Sequence, residues 1–497
     1  MIASRRNIIG MGVISLGVSG MLALDAWPSL RGDYGWRWGY AIPSELADWL
    51  PSALALGLFV LVSGYLWRRG ASARAVVAWA FIASAVLATV FLTRWDDPLF
   101  LLHTRTASRS ATGPQLIATG YTPATIQTAL HAWPDEQRRF AEDGLSMHAA
   151  LAPPGLPLAY YLAQQGLAQA PGLADPLAEP LRSLQCHNLE IASQSDAQIA
   201  GAWLGILSPV WAALAVFPLF WLAWQIGGAS VARVAVLLWP LVPGIAVFTP
   251  VPNTVFPALA VFCVALLWRG LSSGRFAWAA SAGAVFGIGL FLNISLVPLA
   301  MFCGWLALGY HVFLARPEVR PWWSVRMGAA FGLGLALVWG LWALYDGAPF
   351  WVILDVAMHQ HLQLDRPYWP WLVLHLWDYV LFLGLPILLL SLYPLLGALR
   401  ERGPRSPGAL LMAALVVTLL ILTISGTARG ETGRVWQFFF PFSVIGAALA
   451  LDAWRAVGRG LALQAVYCLV IVLFIPVIAT ELTHPSGAYP ATCSAPG

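Results

Sequence analysis

The chain alternates long apolar runs with short polar segments, and this pattern predicts its secondary structure. Backbone N–H and C=O groups inside a lipid bilayer must be hydrogen-bonded within their own segment, and runs of this length match helices that cross the bilayer. The sequence therefore predicts an all-α polytopic membrane bundle with about 13 transmembrane helices. The predicted helices cover residues 7–25, 49–67, 75–94, 200–225, 231–248, 254–268, 277–292, 295–314, 327–345, 371–398, 408–425, 435–453 and 461–480.

The composition agrees with a chain that is dissolved in lipid. Of the 497 residues, 59% are hydrophobic and 10% are charged, with a mean hydropathy of +0.73, whereas soluble domains carry about 25% charged residues. All 27 basic residues are arginine, which excludes lysine Schiff-base chemistry. The net charge of +4 is spread without basic runs, and this argues against nucleic acid as a partner.

The arginines also predict the orientation. Arg5 and Arg6 precede the first apolar run, which we interpret as an uncleaved helix with a cytoplasmic N-terminus. Every short loop on that side is then basic, as expected of a multi-pass protein of the plasma membrane. The arginines of these loops are Arg68, Arg69, Arg74, Arg233, Arg269, Arg275, Arg316, Arg320, Arg326, Arg400, Arg402, Arg405, Arg455 and Arg459.

The opposite, extracytoplasmic side receives nearly all the acidic residues. Its segments are residues 26–48, 95–199, 346–370, 426–434 and the tail 481–497. We predict a single membrane domain over 1–497, in which 95–199 carries amphipathic interfacial helices between helices 3 and 4. One such helix is Leu156 to Leu167, with Gln164 and Gln165 on its polar side.

Two cysteines, Cys186 and Cys493, also fall on this side. An oxidising compartment would permit a disulfide between them. Their spacing leaves open whether they pair.

The first extracytoplasmic loop combines acids with aromatic residues. It contains Asp25, Asp33, Trp36, Arg37 and Trp38. Aromatic faces stack on sugars, and a positioned carboxylate can take a proton from an attacking hydroxyl group. The alternative is an interfacial aromatic belt with solvated acids.

Two further segments of the outer side carry candidate polar groups. Asp96 and Asp97 follow the third helix and could bind a divalent cation or position an acceptor, or form a helix-terminal salt bridge with Arg94. His148 precedes a proline-rich helix start, where it could contact substrate or serve only the structure. The sequence itself requires no cofactor.

The segment 427–437 is suited to phosphate. It places Arg429, Glu431 and Arg434 just before a predicted helix. Guanidinium groups bind phosphate oxygens bidentately, and the amides at the helix start would add donors. The alternative is a surface pair of Arg429 with Glu431, with Arg434 reaching to the interface.

Histidines mark two more positions. His359 and His361 lie near Asp365 and Arg366 on the outer side; their spacing would suit a metal, but the sequence assigns no third ligand, so we interpret them as cleft lining. His375 and Asp378 fall inside the tenth predicted helix. Ionisable groups inside a membrane indicate function, although pairing with each other would satisfy both.

Several landmarks resemble the GT-C superfamily of membrane glycosyltransferases, which includes protein O-mannosyltransferases and lipid A aminoarabinose transferases. Ala152-Pro153-Pro154-Gly155 is similar to a His-Pro-Pro-Gly stretch, with Ala in place of His. Pro250 to Asn253 resembles a Pro-Asp turn, with Asn in place of Asp, and Trp278 to Asn293 occupies a segment whose usual lysine is absent. The resemblance covers residues 1–315.

The resemblance implies transfer of a sugar from a polyprenyl-phosphate donor to a glycan, lipid or protein acceptor, with inversion at the anomeric carbon. Asp33 would be the general base, with Asp25 as the fallback, and Asp96 or Asp97 would take the second acidic position. Arg429 and Arg434 would hold the donor phosphate. Trp36, Arg37, Trp38, His148, His359, His361 and Glu431 would line the cleft.

Two other functions remain compatible with the sequence. A secondary transporter would need ionisable residues near the middle of the membrane, and most of them lie at the outer surface instead. A noncatalytic scaffold that kept the fold and lost the chemistry would explain the replaced family residues.

Overall fold

The computed structural model describes residues 2–108, 111–142, 150–184, 191, 193–315, 322–363, 366–400, 403–428 and 430–478, with side chains from residue 8 onward. The predictions for His148, Arg429, Asp365, Cys186, Cys493 and the tail 481–497 concern residues outside these ranges. All regular structure in the described part of the chain is helical.

The N-terminal half contains short helices between longer ones. In chain order they are α1 Ile2–Ala23, α2 Leu46–Arg68, α3 Ala73–Val90, α4 Pro98–Ala107, α5 Pro114–Thr119, α6 Pro123–His131, α7 Trp133–Glu142, α8 Gly155–Ala168, α9 Pro171–Leu184, α10 Asp196–Gly201, α11 Trp203–Ile206, α12 Ser208–Ala213, α13 Val216–Leu238 and α14 Pro243–Val247.

The C-terminal half continues with α15 Phe256–Ser273, α16 Phe276–Leu292, α17 Val297–Gly309, α18 Trp323–Leu344, α19 Phe350–Leu362, α20 Tyr368–Leu383, α21 Leu385–Ser391, α22 Tyr393–Arg400, α23 Pro407–Ser425, α24 Thr432–Val435, α25 Phe440–Ala453 and α26 Val457–Phe474.

Eight helical segments of the described chain are long and apolar enough to cross a membrane, and a ninth is a bent pair. The eight are Leu46–Arg68, Ala73–Arg94, Asp196–Leu241, Pro252–Ser273, Ile294–Leu314, Trp323–Leu344, Pro407–Ser425 and Val457–Phe474. Ile8–Ala23, Phe276–Leu292 and Gln437–Ala453 are shorter apolar helices. The chain is thus a polytopic helical membrane protein, and the number of 13 spans stays a prediction.

Two glycines interrupt apolar helices. Gly228 has a φ of 80° inside α13, between two predicted spans. Gly384 has a φ of 104° and separates α20 from α21, where the helix axis bends by 105°. At this bend the amide of Gln464 donates to the backbone oxygens of Leu383 at 3.3 Å and Leu241 at 2.9 Å. A buried amide thereby satisfies the Leu383 carbonyl group at the bend and joins it to the chain at Leu241.

Helices in the region 98–206 pack into two hydrophobic clusters apart from the main core, one of which also includes Ile294 and residues between 342 and 357. The sequence predicted helix at Leu156 to Leu167, and α8 covers it, but its assignment of Gln164 to the polar side is wrong. Gln164 is buried in the contact with Gly201, while Leu162 is 59% exposed. In a membrane protein an apolar side chain can face lipid outward, so apolarity does not identify the packed face.

Segments predicted for one side of the membrane contact each other. Among the segments predicted for the outer side, a ring nitrogen of His131 lies 2.9 Å from the backbone oxygen of Asp346. At the other end, Arg233 donates to the backbone oxygen of Ala71, and Ser230 donates to Asp452. The bundle therefore has two distinct polar ends.

Helices α16 and α18 form the most extensive helix pair, and glycines make their close approach possible. A Cβ atom on Gly334 would overlap the carbonyl oxygen of Ala280, and one on Gly283 would overlap that of Phe331. A Cβ on Gly332, in the same helix as Gly334, would meet open space. Small residues let helix backbones touch in lipid, where no hydrophobic force drives association.

We expect Gly334→Ala to lower the free energy of unfolding by about 1–3 kcal/mol, because the added methyl group forces α16 and α18 apart. Gly332→Ala is the matched control and should be neutral or stabilising by about 0.5–1 kcal/mol, because alanine favours helix over glycine. Thermal unfolding of the detergent-purified variants measures both. Equal melting temperatures for the two variants would contradict the proposed contact.

Candidate functional site

The first loop lies against the first turns of α20 at one end of the bundle. Three indole N–H groups make the hydrogen bonds between them, two from α20 and one from the loop. The donors and acceptors are Trp38 to Asp378 Oδ1 at 2.6 Å, Trp371 to the backbone oxygen of Tyr34 at 3.2 Å, and Trp377 to that of Leu30 at 2.7 Å. Two tryptophans of α20 and one of the loop therefore fix the position of the loop.

Asp378 joins this loop to the turn between α23 and α24. Its carboxylate is 6% exposed. In addition to Trp38, it accepts hydrogen bonds at Oδ2 from the amide of Gly433 at 2.8 Å and from the hydroxyl of Thr432 at 3.3 Å. A buried carboxylate is tolerated only when donors satisfy it, so Asp378 holds three separate segments together.

His375, three residues before Asp378 in α20, also binds the turn between α23 and α24. Its Nε2 accepts from the amide of Gly430 at 3.4 Å, and its ring lies between those of Trp371 and Trp436, with centroids 5.4 and 5.9 Å away. His375 and Asp378 thus bind the turn rather than each other.

The sequence predicted exposed amides at the start of the helix after Arg434 as donors for phosphate. In the turn before that helix, the amides of Gly430 and Gly433 donate to His375 and Asp378, and those of Arg434 and Val435 donate to the backbone oxygen of Glu431. These amides are therefore not available to an anion.

Two guanidinium groups converge on one carboxylate beside this turn. Glu431 Oε2 lies 2.6 Å from Arg434, and Oε1 lies 3.7 Å from Arg366. The guanidinium of Arg366 also lies over the rings of Trp36 and Trp371, at 4.9 and 5.9 Å from their centroids. We call Arg366, Glu431 and Arg434 the guanidinium cluster.

The guanidinium cluster is largely shielded from solvent. Its side chains are 8%, 18% and 14% exposed for Arg366, Glu431 and Arg434. Burial lowers the pKa of Arg366, and the adjacent Glu431 carboxylate opposes this effect. Electrostatic interactions are stronger in such a site than in water, so a phosphate here would be bound more tightly than at the surface.

The backbone of the turn is strained. Glu431 has a φ of 55° and Gly430 a φ of 90°. A left-handed conformation costs a residue with a side chain about 1–3 kcal/mol and persists only where its surroundings enforce it. The hydrogen bonds of Asp378 and His375 enforce it here, and the result is a Glu431 carboxylate that faces both arginines.

Asp33 lies on the exposed surface of the first loop. Its carboxylate accepts from the amide of Tyr34 and the hydroxyl of Ser29, each at 2.9 Å, and pairs with Arg37 at 3.0 Å. These groups, the Tyr34 amide first, lower the pKa of Asp33. The carboxylate is therefore ionised at neutral pH, as a general base requires.

Asp25 has a different environment. Both its oxygens bind Arg31, at 2.9 and 2.8 Å, and Arg31 also donates to the backbone oxygen of Trp38 and lies over Tyr40. This pair shapes the loop, which makes Asp25 a less available base than Asp33.

Asp96 and Asp97 begin α4 at the same end of the bundle. Asp97 Oδ1 caps the helix by accepting from the amide of Phe100 at 2.9 Å, and Asp96 accepts from the amide of Asp97 at 2.7 Å. Arg94 pairs with Asp48 at 3.6 Å. In the described chain no group of three or more His, Cys, Asp or Glu side chains is placed to hold a metal ion. His359 and His361 on α19 therefore have no such group around them in the described part of the chain.

Three site residues come from the tenth predicted helix and the segment before it. The sequence marked His375 and Asp378 as ionisable groups inside a span, and Arg366 as part of an outer cluster, but it did not place them with Arg434. An ionisable residue in an apolar run was the available signal. The partners of Asp378 and Arg366, Gly433 and Glu431, are more than 50 residues away in sequence.

No family model matches this chain, and none of the curated proteins matches it. Among solved structures, the oligosaccharyltransferase of Archaeoglobus fulgidus, in complex with zinc and sulfate, is similar over 60% of this chain and 44% of that chain. The sequences are 17% identical and the TM-score is 0.33. The chain thus spans less than half the length of that protein.

Proposed function

We propose that this protein is a membrane glycosyltransferase that moves a sugar from a polyprenyl-phosphate donor to an acceptor at the extracytoplasmic face. The guanidinium cluster carries the proposal, because two shielded arginines are held at a helix end, where the phosphate of a membrane lipid would lie. The proposal places the protein in the plasma membrane with a cytoplasmic N-terminus.

The arginines would stabilise the leaving group. As the bond between the anomeric carbon and the phosphate oxygen breaks, negative charge develops on the phosphate. Preorganised cations at that position lower the barrier more than they stabilise the substrate. Arg366 and Arg434 would share these oxygens, and Arg429 would add a third guanidinium from the same turn, as the sequence predicts.

When no donor is bound, the Glu431 carboxylate would occupy the position between the two arginines that the phosphate takes in the complex. It bridges the two guanidinium groups, at 2.6 and 3.7 Å, and so offsets the repulsion between them. A phosphate carries more acceptor oxygens than a carboxylate and can bind both arginines at once.

Asp33 would activate the acceptor. Its carboxylate takes the proton of an acceptor hydroxyl while that oxygen attacks the anomeric carbon from the side opposite the phosphate, which inverts the configuration. Trp36, stacked under Arg366, connects the loop that carries Asp33 with the guanidinium cluster. The apolar ring offers a face for the sugar.

A noncatalytic scaffold is the second candidate. The observation that favours it is the pairing of the candidate acids with local groups: Asp25 with Arg31, Asp33 with Arg37, and Asp97 with the amide of Phe100. Sugar transfer by the protein would exclude this candidate.

We expect Arg434→Gln to weaken binding of a polyprenyl phosphate to the purified protein by about 10- to 100-fold, the usual effect of losing a charge-assisted hydrogen bond. The affinity of Arg434→Lys should lie between those of wild type and Arg434→Gln, because lysine keeps the charge but lacks the planar guanidinium fork. Native mass spectrometry in detergent measures the affinities, with Arg275→Gln at an exposed arginine as the control. Equal affinity of Arg434→Gln and wild type would remove Arg434 from the phosphate site.

We expect Asp33→Asn to reduce transfer of labelled sugar from the lipid pool by at least about 100-fold, as for loss of a general base. The amount of protein should not change, because Asp33 lies at the surface. Asp378→Asn should instead reduce the amount of folded protein, because a buried carboxylate with three donors is lost. Transfer at the wild-type rate by Asp33→Asn would rule out this base.

The pH dependence of transfer tests Asp33 in a second way. Hydrogen bonds and Arg37 lower its pKa, so its ionised, active form persists as the pH falls and is lost only below about 4, the usual value. Between pH 5 and 8 Asp33 should therefore produce no acid limb in the rate of sugar transfer. An acid limb in this range that disappears in Asp33→Asn would contradict the lowered pKa.

A further inference from the structure

A cavity of about 1320 Å³ opens at the end of the bundle opposite the guanidinium cluster. It lies between α1, α13, α22 and the adjoining ends of α23, α25 and α26. The sequence predicted this end to be cytoplasmic. The proposed transferase site does not use it.

Three helices establish the separation of the two ends. α23 and α26 begin at the cavity, α25 ends there, and their other ends lie near the first loop and the turn at Glu431. α23 has 19 residues, which corresponds to about 28 Å at 1.5 Å per residue. A phosphate group bound at one end therefore cannot contact the arginines at the other end.

The charged lining of the cavity is basic. Arg400, Arg455 and Arg459 line it, and Asp452 is the single acid among its lining residues. Asp452 accepts a hydrogen bond from Ser230. Within the described chain none of the three arginines has an ion-pair partner, so the cavity has an excess of two positive charges.

Arg455 occupies a position where the backbone favours glycine. It follows the end of α25 with a φ of 52°, and the next amide, that of Ala456, closes the turn by donating to Leu451 at 3.0 Å. Glycine is the usual residue at such a helix end because it has no Cβ to strain. A guanidinium at this strained position indicates a role for the side chain rather than for the turn.

The remaining walls are apolar and aromatic. Leu396, Leu449 and Ile8 line the cavity, and Tyr393 packs edge-to-face on Trp454 with centroids 5.2 Å apart. A small inorganic anion needs no apolar walls, whereas a phospholipid presents a phosphate to the arginines and acyl chains to the leucines. Basic pockets between membrane helices bind anionic headgroups in this way.

We propose that this cavity binds the phosphate headgroup of an anionic membrane lipid through Arg400, Arg455 and Arg459, with its acyl chains along Leu396 and Leu449. The excess of arginine on one side of the membrane is expected for any polytopic protein. The convergence of three arginines on one amphipathic cavity distinguishes a binding site from positive charge spread over the membrane surface.

The test is titration of the purified full-length protein, in phosphatidylcholine nanodiscs, with phosphatidylglycerol, followed by native mass spectrometry. Wild type should bind phosphatidylglycerol saturably. Arg459→Gln and Arg455→Gly should each weaken this binding about tenfold or more. Arg275→Gln, at an exposed arginine outside the cavity, should bind as wild type does.

Arg455→Gly separates binding from stability. Glycine accepts the left-handed backbone, so the variant should keep or raise the melting temperature while it loses lipid affinity. Unchanged affinity in Arg455→Gly and Arg459→Gln, or an equal loss in Arg275→Gln, would overturn the proposal. Displacement of the lipid by millimolar inorganic phosphate would also overturn it, in favour of a free anion.

Discussion

The burial of one carboxylate in a largely apolar bundle governs the architecture of the candidate site. Asp378 needs donors, and it obtains them from a loop 340 residues earlier and from a turn 55 residues later. Each donor removes part of the cost of burying the charge. The first loop and the turn at Glu431 are therefore fixed relative to α20, and Trp36, Arg366 and Glu431 meet as a consequence.

The guanidinium cluster depends on this frame. Two arginines repel each other, and a shielded position strengthens the repulsion. Glu431 offsets it, but its carboxylate faces both groups only because its backbone is held in a left-handed conformation. The strain at Glu431 and the burial of Asp378 are thus parts of one arrangement that keeps two cations in place before any ligand binds.

The sequence predicted the helices better than the contacts between them. Apolar runs located most helices, because hydrogen bonding inside lipid leaves few alternatives to helix. The same rule hides which face is packed, since lipid accepts Leu162 on the outside as readily as the core does. The break at Gly228 falls between two predicted spans, but the bend at Gly384 depends on a single residue inside one predicted span, 371–398, and its geometry is not encoded by hydropathy.

The site was predicted in part for a similar physical reason. Arg434 and Glu431 lie three residues apart, so their proximity follows from sequence. Arg366 and Asp378 join them through tertiary contacts, for which periodicity carries no signal. The backbone shows the opposite case: the local pattern predicted exposed donors at the helix start, and in the turn before it distant side chains bind the amides of Gly430 and Gly433.

The two polar ends of the bundle are electrostatically almost independent. Over about 28 Å, two unit charges at an effective dielectric constant of about 20 interact by about 0.6 kcal/mol, which is less than one hydrogen bond to a charged group. The residues between them on α25 are mostly apolar and buried, and within the described chain no ion pair joins Asp452 to the turn at Glu431. An influence of one end on the other would therefore act through movement of the helices that connect the two ends.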